Sequence, residues 1–404
     1  MQQPKPIRFL DRTTPPHVVT LIALTSLGSL SMSIFLPSLN AMARDLGTEY
    51  HVMQLSVSLY LIGNAVLQLL IGPLADRYGR RPVLLGGMTI FLLASIGCAL
   101  AQSATTFLLF RMIQAAVVAG MMLSRAVIRD LFDERESAAK IGSVMMVMSI
   151  VPLIGPSLGG LLDSSFGWRA SFILLMGLGA AALVLVYADL GETAKTIGRP
   201  IGAQFRDYPA LLGSLRFWVF ALGASFASGC FFAFLGGGPW VGENIFGLSP
   251  GQVGLALGSP AVGYAIGNFL SSRYSVRLGV ERMLFIGSVI TGLGILTAIF
   301  LHGTDIGGAW GFFLPLTFMA LGNGMVMPNS AAGMMSVQPR LAGSAAGLGG
   351  ALQILGGALL AWAGGQLLHP GGTGLPLLVL MFLSSCAAMI LFALLPKLRR
   401  AQAS

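Results

Sequence analysis

Apolar runs of about 20 residues, separated by short polar or basic stretches, recur along nearly the whole chain. Each is long enough to cross the roughly 30 Å hydrocarbon layer of a bilayer as a helix, which satisfies its own backbone hydrogen bonds in lipid. The pattern predicts spans at 17–39, 52–75, 82–101, 105–129, 141–163, 168–189, 216–236, 250–272, 282–301, 309–329, 341–365 and 374–395. Little chain is left for a soluble domain. The predicted fold class is an all-α polytopic membrane protein with twelve transmembrane helices.

One polar, basic, Gly/Pro-containing stretch, LGETAKTIGRPIGAQFRDYPALLGS, divides the spans six and six. It predicts a first bundle over 1–190, a linker loop over 191–215 and a second bundle over 216–404. The halves read as two copies. GPLADRYGRRP after the second span has a worn counterpart, GNFLSSRYSVRLGVER, after the eighth, at an offset of roughly 195 residues. GPSLGG in the fifth span has a Gly-rich counterpart, GSAAGLGGALQILGG, in the eleventh. Duplicated six-helix bundles with a site between them are the plan of an alternating-access transporter.

Composition agrees: of 404 residues, 55% are hydrophobic and 10% charged, which excludes an ordinary soluble protein. Charge adds orientation. With the N-terminus inside, Lys5, Arg8 and Arg12, the Arg77–Arg81 cluster, Arg129 through Lys140, Lys195 through Arg216, Arg273 through Arg282, Arg340 and the C-terminal Lys397–Arg400 group all fall inside, while Arg44 and Arg169 fall outside. Both termini are therefore expected to be cytoplasmic. The net charge of +9 reads as a topology signal and not as nucleic-acid affinity, because the basic residues are spread over every inner loop. The first apolar run is too long for a signal-peptide core and is expected to be retained. Cys98, Cys230 and Cys386 lie in separate spans without ligand spacing, so no metal, disulfide or cofactor is expected. No cluster of catalytic acids, histidines or ligands marks an interface, which argues against a membrane enzyme, and no long loop or tail suggests a receptor.

Three stretches carry a specific resemblance. Gly72–Pro82 resembles the cytoplasmic loop motif of the major facilitator superfamily. Its physics is readable: Gly72 permits close packing, Asp76 can pair near a helix end, Gly79 allows a tight reversal, and Arg77, Arg80 and Arg81 anchor the inner side. The resemblance implies that these residues gate conformational change, with Asp76 bridging to the second bundle when the outer side is open. VPLIGPSLGG is similar to the fifth-helix motif of antiporters in this superfamily, where Gly155, Pro156, Gly159 and Gly160 are expected to thin and kink the helix against the opposite bundle. RMIQA resembles the fourth-helix motif of proton-linked exporters, with Arg111 and Gln114 in the motif positions.

The wider pattern resembles the Bcr/CflA drug-exporting branch: IFLPSL, SLYLIGNAVLQLLIGPLADRYGRRP, SRAVIRDLF and FFAFLGGGPWV. That resemblance implies a monomeric secondary transporter of the bacterial inner membrane. It would export small, moderately hydrophobic organic molecules by proton antiport with alternating access. Its partners are then the substrate, the bilayer and protons.

At 100° per residue, Arg111, Ala115, Val118, Met122, Arg125 and Arg129 share a stripe of the fourth helix, which is expected to face the interior because a centrally placed charge costs about 2.5–3.5 kcal/mol in lipid. Arg125, about one turn from the inner end, can snorkel and is expected to be structural. Arg111 is expected in a cavity beside Gln114. The branch usually has an aspartate in the first helix, yet SLSMSIFLPSL places Ser33 there, and no other acid lies at mid-depth. Arg111 therefore has neutral neighbours, Gln114, Asn40, Tyr60 or Asn64, or an anionic substrate as its counter-ion. This keeps open a second reading, a proton-independent exchanger or importer of a specific organic anion. The substrate-binding candidates are Ser33, Tyr60, Asn64, Arg111, Gln114, Phe231, Phe234 and Asn329, with Gln68, Trp240, Asn323 and Gln353 as further polar or aromatic positions.

Overall fold

The computed structural model describes residues 8–132, 134–194, 198 and 205–403. Twelve long helices follow in order: α1 Val18–Asp45, α2 Tyr50–Tyr78, α3 Arg80–Leu100, α4 Ala104–Leu131, α5 Glu134–Phe166, α6 Arg169–Asp189, α7 Leu215–Ile245, α8 Pro250–Leu278, α9 Val280–Gly303, α10 Gly308–Val337, α11 Ala342–Gln366 and α12 Leu375–Leu398. All but α5 are long and apolar enough by composition to span a bilayer over their described residues, and α5, at 33 residues, occupies the fifth predicted position. The helices overrun the predicted spans because helical hydrogen bonding continues past the apolar layer to local stop and start signals. Ser103 and Ser214 accept a backbone N–H of the turns they open, and Ser249 with Gln252 forms a full capping box before α8. Gly79 closes α2 at φ 99° and Gly279 closes α8 at φ 82°, so both copies of the repeated loop reverse through the same glycine conformation. In the predicted linker, 195–197 and 199–204 lie outside the described residues, and a short helix, Tyr208–Leu212, leads into α7.

Helices α1–α6 and α7–α12 form two bundles that meet along two seams, α5 against α8 and α2 against α11. Small residues make the first seam. Gly160 lies against the Pro250 carbonyl, and Gly254 lies against the Pro156 carbonyl, so a Cβ on either would collide with backbone. Gln54 of α2 donates to the Ala361 carbonyl of α11 across the second seam.

The bundle has a basic face, where the Arg77–Arg81 loop, the segment before α1 and the end of α12 lie, and an opposite face. At the opposite face the halves are joined by Arg44–Glu243 at 2.6 Å, Asn244 to Asn40 at 3.3 Å and the Tyr50 hydroxyl to the Gly236 carbonyl at 2.7 Å. On the basic side, Arg80 pairs with Asp76 at 2.8 Å and Asp130 at 3.1 Å, all within the first bundle. Among the described residues no ion pair crosses between the halves there. Buried Asp189 accepts from the backbones of Leu10 and His17 and from the Thr20 hydroxyl, which ties the segment before α1 to the end of α6.

Candidate transport site

A cavity of about 710 Å³ lies between the halves. From the first bundle it is lined by Ser29, Ser33, Tyr60, Asn64, Gln68, Met121, Met122 and Arg125; from the second by Phe231, Phe232, Tyr264, Asn268, Phe269, Asn323, Met327 and Gln353, among others. At about 1.5 Å per residue, Gln68 sits roughly 27 Å along α2 from its opposite-face end, and Arg125 about 9 Å from the basic-face end of α4. The cavity thus reaches from mid-depth toward the basic face, while the Arg44–Glu243 and Tyr50–Gly236 contacts close the other side.

Ser33, Tyr60, Asn64 and Phe231 line this cavity, together with Gln68, Asn323 and Gln353. Arg111, Gln114, Phe234 and Asn329 do not. Phe234 packs against Phe313 in the apolar core. The Asn329 amide donates to the Ser271 hydroxyl and the Met325 carbonyl, both at 2.8 Å. Trp240, also away from the wall, lies in α7 just before its closing turn over Val241–Ile245.

Arg111 is fully buried inside the first bundle. Its guanidinium is layered between the rings of Tyr60, 3.9 Å away, and Phe35, 4.3 Å away. It donates to the Ser31 carbonyl at 2.8 Å, to the Ser31 hydroxyl at 3.2 Å and to the Gln114 side-chain oxygen. Gln114 in turn donates to the Ser95 hydroxyl, which donates to the Phe91 carbonyl. Four helices are joined around one cation without a carboxylate, by aromatic faces and neutral oxygens. Of the expected neighbours, Gln114 and Tyr60 are there, Asn40 bonds Asn244, and Asn64 faces the cavity.

The two arginines of α4 have thus exchanged their expected roles: Arg125 lines the cavity and Arg111 does not. Helix α4 is α-helical over Ala104–Ile113, tightens to a 3₁₀ turn over Gln114–Val117, and resumes as α-helix from Val118. Over the fourteen residues from Arg111 to Arg125 the tightened turn only moves their angular offset from about 40° on one side to about 40° on the other, so the two stay near one stripe. They differ in what they meet at their depths: Phe35, Tyr60 and Ser31 fill the space at Arg111, whereas Arg125 meets the open cavity. Nothing in the QAAV sequence, which has no Gly or Pro, signals that tightening.

The gating candidates are placed as follows. Asp76 and Arg80 form the ion-paired cluster described above, Arg77 is exposed, and the backbone N–H groups of Arg80 and Arg81 are capped by the Glu192 carboxylate from beyond α6. Gly72 lies one turn before Asp76 on α2. The glycines of α5 divide between two partners. Gly155 faces Ser33 and Gly159 faces the Ile34 carbonyl, both on α1 of the same bundle, whereas Gly160 and the Pro156 carbonyl meet α8 of the opposite bundle. Helix α5 continues unbroken through Pro156.

The sequence model of the Major Facilitator Superfamily matches residues 21–361 and, in a second match, 239–404. The chain belongs to this family of membrane transporters. It is 33% identical over 338 residues, 82% of this chain and 84% of the relative, to a Bacillus subtilis (strain 168) protein described as an uncharacterized MFS-type transporter, YdgK. It is 34% identical over 315 residues, 76% of this chain and 73% of the relative, to a chloramphenicol resistance protein of Pseudomonas aeruginosa. Among solved structures, a D-xylose-proton symporter superposes with a TM-score of 0.76 at 16% identity, covering 93% of this chain and 96% of that one, a likeness of fold. The resemblance to the Bcr/CflA-like drug-efflux branch accords with these relatives, and the protein is a transporter and not an enzyme.

Proposed function

We propose that this chain exports small, moderately hydrophobic organic molecules from the cytoplasm by alternating access, driven by proton antiport. The observation that carries the reading is the cavity between the two halves, closed at one face by the Arg44–Glu243 clasp and extending toward the other. Its wall of Phe231, Phe232, Phe269 and four methionine and tyrosine side chains, Met121, Met122, Tyr60 and Tyr264, suits an apolar body, and the amides of Asn64, Asn268 and Asn323 suit a few polar groups. The relative named for chloramphenicol resistance points to drug-like cargo of this kind. The distribution of Lys and Arg supports a cytoplasmic basic face, with both termini inside, in a bacterial inner membrane. The conformation is then inward-facing, and the intrabundle Asp76–Arg80–Asp130 cluster is what such a state requires of a loop that engages the second bundle only in the other state. The chain is expected to act as a monomer.

Ser33 lines the cavity where the branch usually has an acid, so proton coupling runs through carboxylates outside it. Asp163 near the opposite face is the best placed: it is half-buried, and its Oδ2 has no hydrogen-bond partner among the described residues. The test uses full-length protein in sealed vesicles with an internal pH dye. Proton movement on addition of chloramphenicol, lost in Asp163→Asn, supports antiport. Chloramphenicol flux without proton movement overturns antiport in favour of exchange or facilitated passage. No flux of any neutral, anionic or cationic compound in a drug panel overturns the export reading.

A further inference from the structure

Among the described residues that line the cavity, only Arg125 is charged. Its side chain is exposed within the cavity, and among the described residues its guanidinium makes a single weak hydrogen bond, Nε to the Met121 carbonyl at 3.4 Å, and no ion pair. Two acids at the same end of the bundle are committed elsewhere: Asp130 and Asp76 both pair with Arg80. The nearest charge along the helix is Arg129, one turn further toward the basic face, and it has the same sign. A guanidinium with its fork of donors free, in a cavity of otherwise neutral and apolar walls, is a built counter-charge for a carboxylate or a similar oxyanion.

A second feature points to a ligand independently. Deeper in the same cavity, Asn323 is only 3% exposed and neither its Oδ1 nor its Nδ2 has a hydrogen-bond partner among the described residues. Asn64, from the other half, is 7% exposed and its Oδ1 is likewise unpartnered. Buried amides left unsatisfied by the protein are costly unless something else completes them. The two belong to opposite halves, so a ligand that satisfies both also joins the halves.

The geometry points to an amphipathic organic acid as the preferred cargo: an anionic head on Arg125, an apolar body against Phe231, Phe232 and Phe269, and a neutral polar group at Asn64 and Asn323. This rests on the reading of the cavity as the transport path and names the class of molecule that path selects. It also separates the two arginines of α4. Arg111 has its oxygens and aromatic faces supplied by the protein and needs no ligand, whereas Arg125 has a free fork and faces the space where a ligand fits.

The test is equilibrium binding to purified full-length protein of three matched probes: 4-phenylbenzoate, 4-phenylbenzamide and 4-phenylbenzylammonium. The wild type is expected to bind the acid about ten- to a hundredfold more tightly than the amide, the range of a charge-assisted hydrogen bond, with the cation weakest. Arg125→Gln is expected to erase that preference, so that acid and amide bind alike, and Arg125→Lys to keep part of it. Asn323→Ala is expected to weaken acid and amide together at an unchanged ratio. Amide binding in every sample reports that the cavity still forms. Equal binding of acid and amide by the wild type, or an acid preference that survives Arg125→Gln, overturns the assignment and leaves the export reading standing. Failure of the wild type to bind any of the three overturns both.

Discussion

Arg44 of α1 and Glu243 of α7 meet at 2.6 Å across the junction of the two halves, the one ion pair among the described residues that joins one half to the other. Arg44 is 68% exposed, so the pair contributes no more than about 1 kcal/mol after screening. Its removal should leave the fold intact and shift the balance between closed and open at that face by about twofold to fivefold. In Arg44→Ala, a cysteine placed at Asn40 is expected to react faster with a water-soluble thiol reagent. The charge swap Arg44→Glu with Glu243→Arg is expected to restore the slow rate, and an unchanged rate in Arg44→Ala would remove the clasp from the account.

Arg111 is expected to matter for stability more than for selectivity. Its replacement by Ala strips the cation from between Tyr60 and Phe35 and leaves the Ser31 carbonyl and Gln114 without their donor, a loss of about 2–4 kcal/mol. Lys cannot reproduce both the fork and the stacking, so Arg111→Lys should recover little. Thermal unfolding of purified variants checks this. A wild-type melting temperature in Arg111→Ala would show that the network does not hold the bundle.

The α5–α8 seam predicts a sharp contrast between two glycines. A Cβ at Gly160 meets the Pro250 carbonyl, whereas one at Gly177 on α6 has nothing within 4 Å. Gly160→Ala should therefore impair closure of the opposite face and reduce transport several-fold, while Gly177→Ala should leave transport near the wild-type level. Flux of the same substrate in vesicles of matched protein content decides it, and equal behaviour of the two variants would count against the seam as the moving contact.

Ser33→Asp places a carboxylate on the cavity wall, beside Gly155, where the branch usually has one. It introduces a negative charge into a space whose single charge among the described residues is Arg125. The expected outcome is weaker binding of 4-phenylbenzoate and stronger binding of 4-phenylbenzylammonium, each by about tenfold. If neither affinity moves, the field in the cavity is not set by these side chains.

The architecture was legible in the sequence because lipid leaves so little freedom. Twelve apolar runs, a polar break after the sixth and a repeated loop lead directly to two six-helix bundles, and the glycines at 79 and 279 hold the same reversal in both copies. The cavity was legible only in part. Ser33, Tyr60, Asn64 and Phe231 stand on it because they are polar or aromatic residues near mid-depth on helices that border the junction. Phe234 and Asn329 meet that description equally well, yet one is packed against Phe313 and the other bonded to Ser271. Residue type gives depth, and only the rotation of each helix gives direction. In α4 even rotation does not decide it: Arg111 and Arg125 stay within about 40° of each other around the axis, and the rings of Phe35 and Tyr60 fill at the depth of Arg111 the space that is open cavity at the depth of Arg125.

The two glycine reversals have one more consequence. Gly79 and Gly279 share almost the same backbone angles, φ 99° and ψ 158° against φ 82° and ψ 153°, but only the first is surrounded by an ion-paired cluster among the described residues. The two halves thus keep one backbone shape at this reversal and differ in the charges around it. Charge substitutions around Gly279 should accordingly be tolerated by natural variation, while those around Gly79 are purged, in a molecule whose outline remains symmetric.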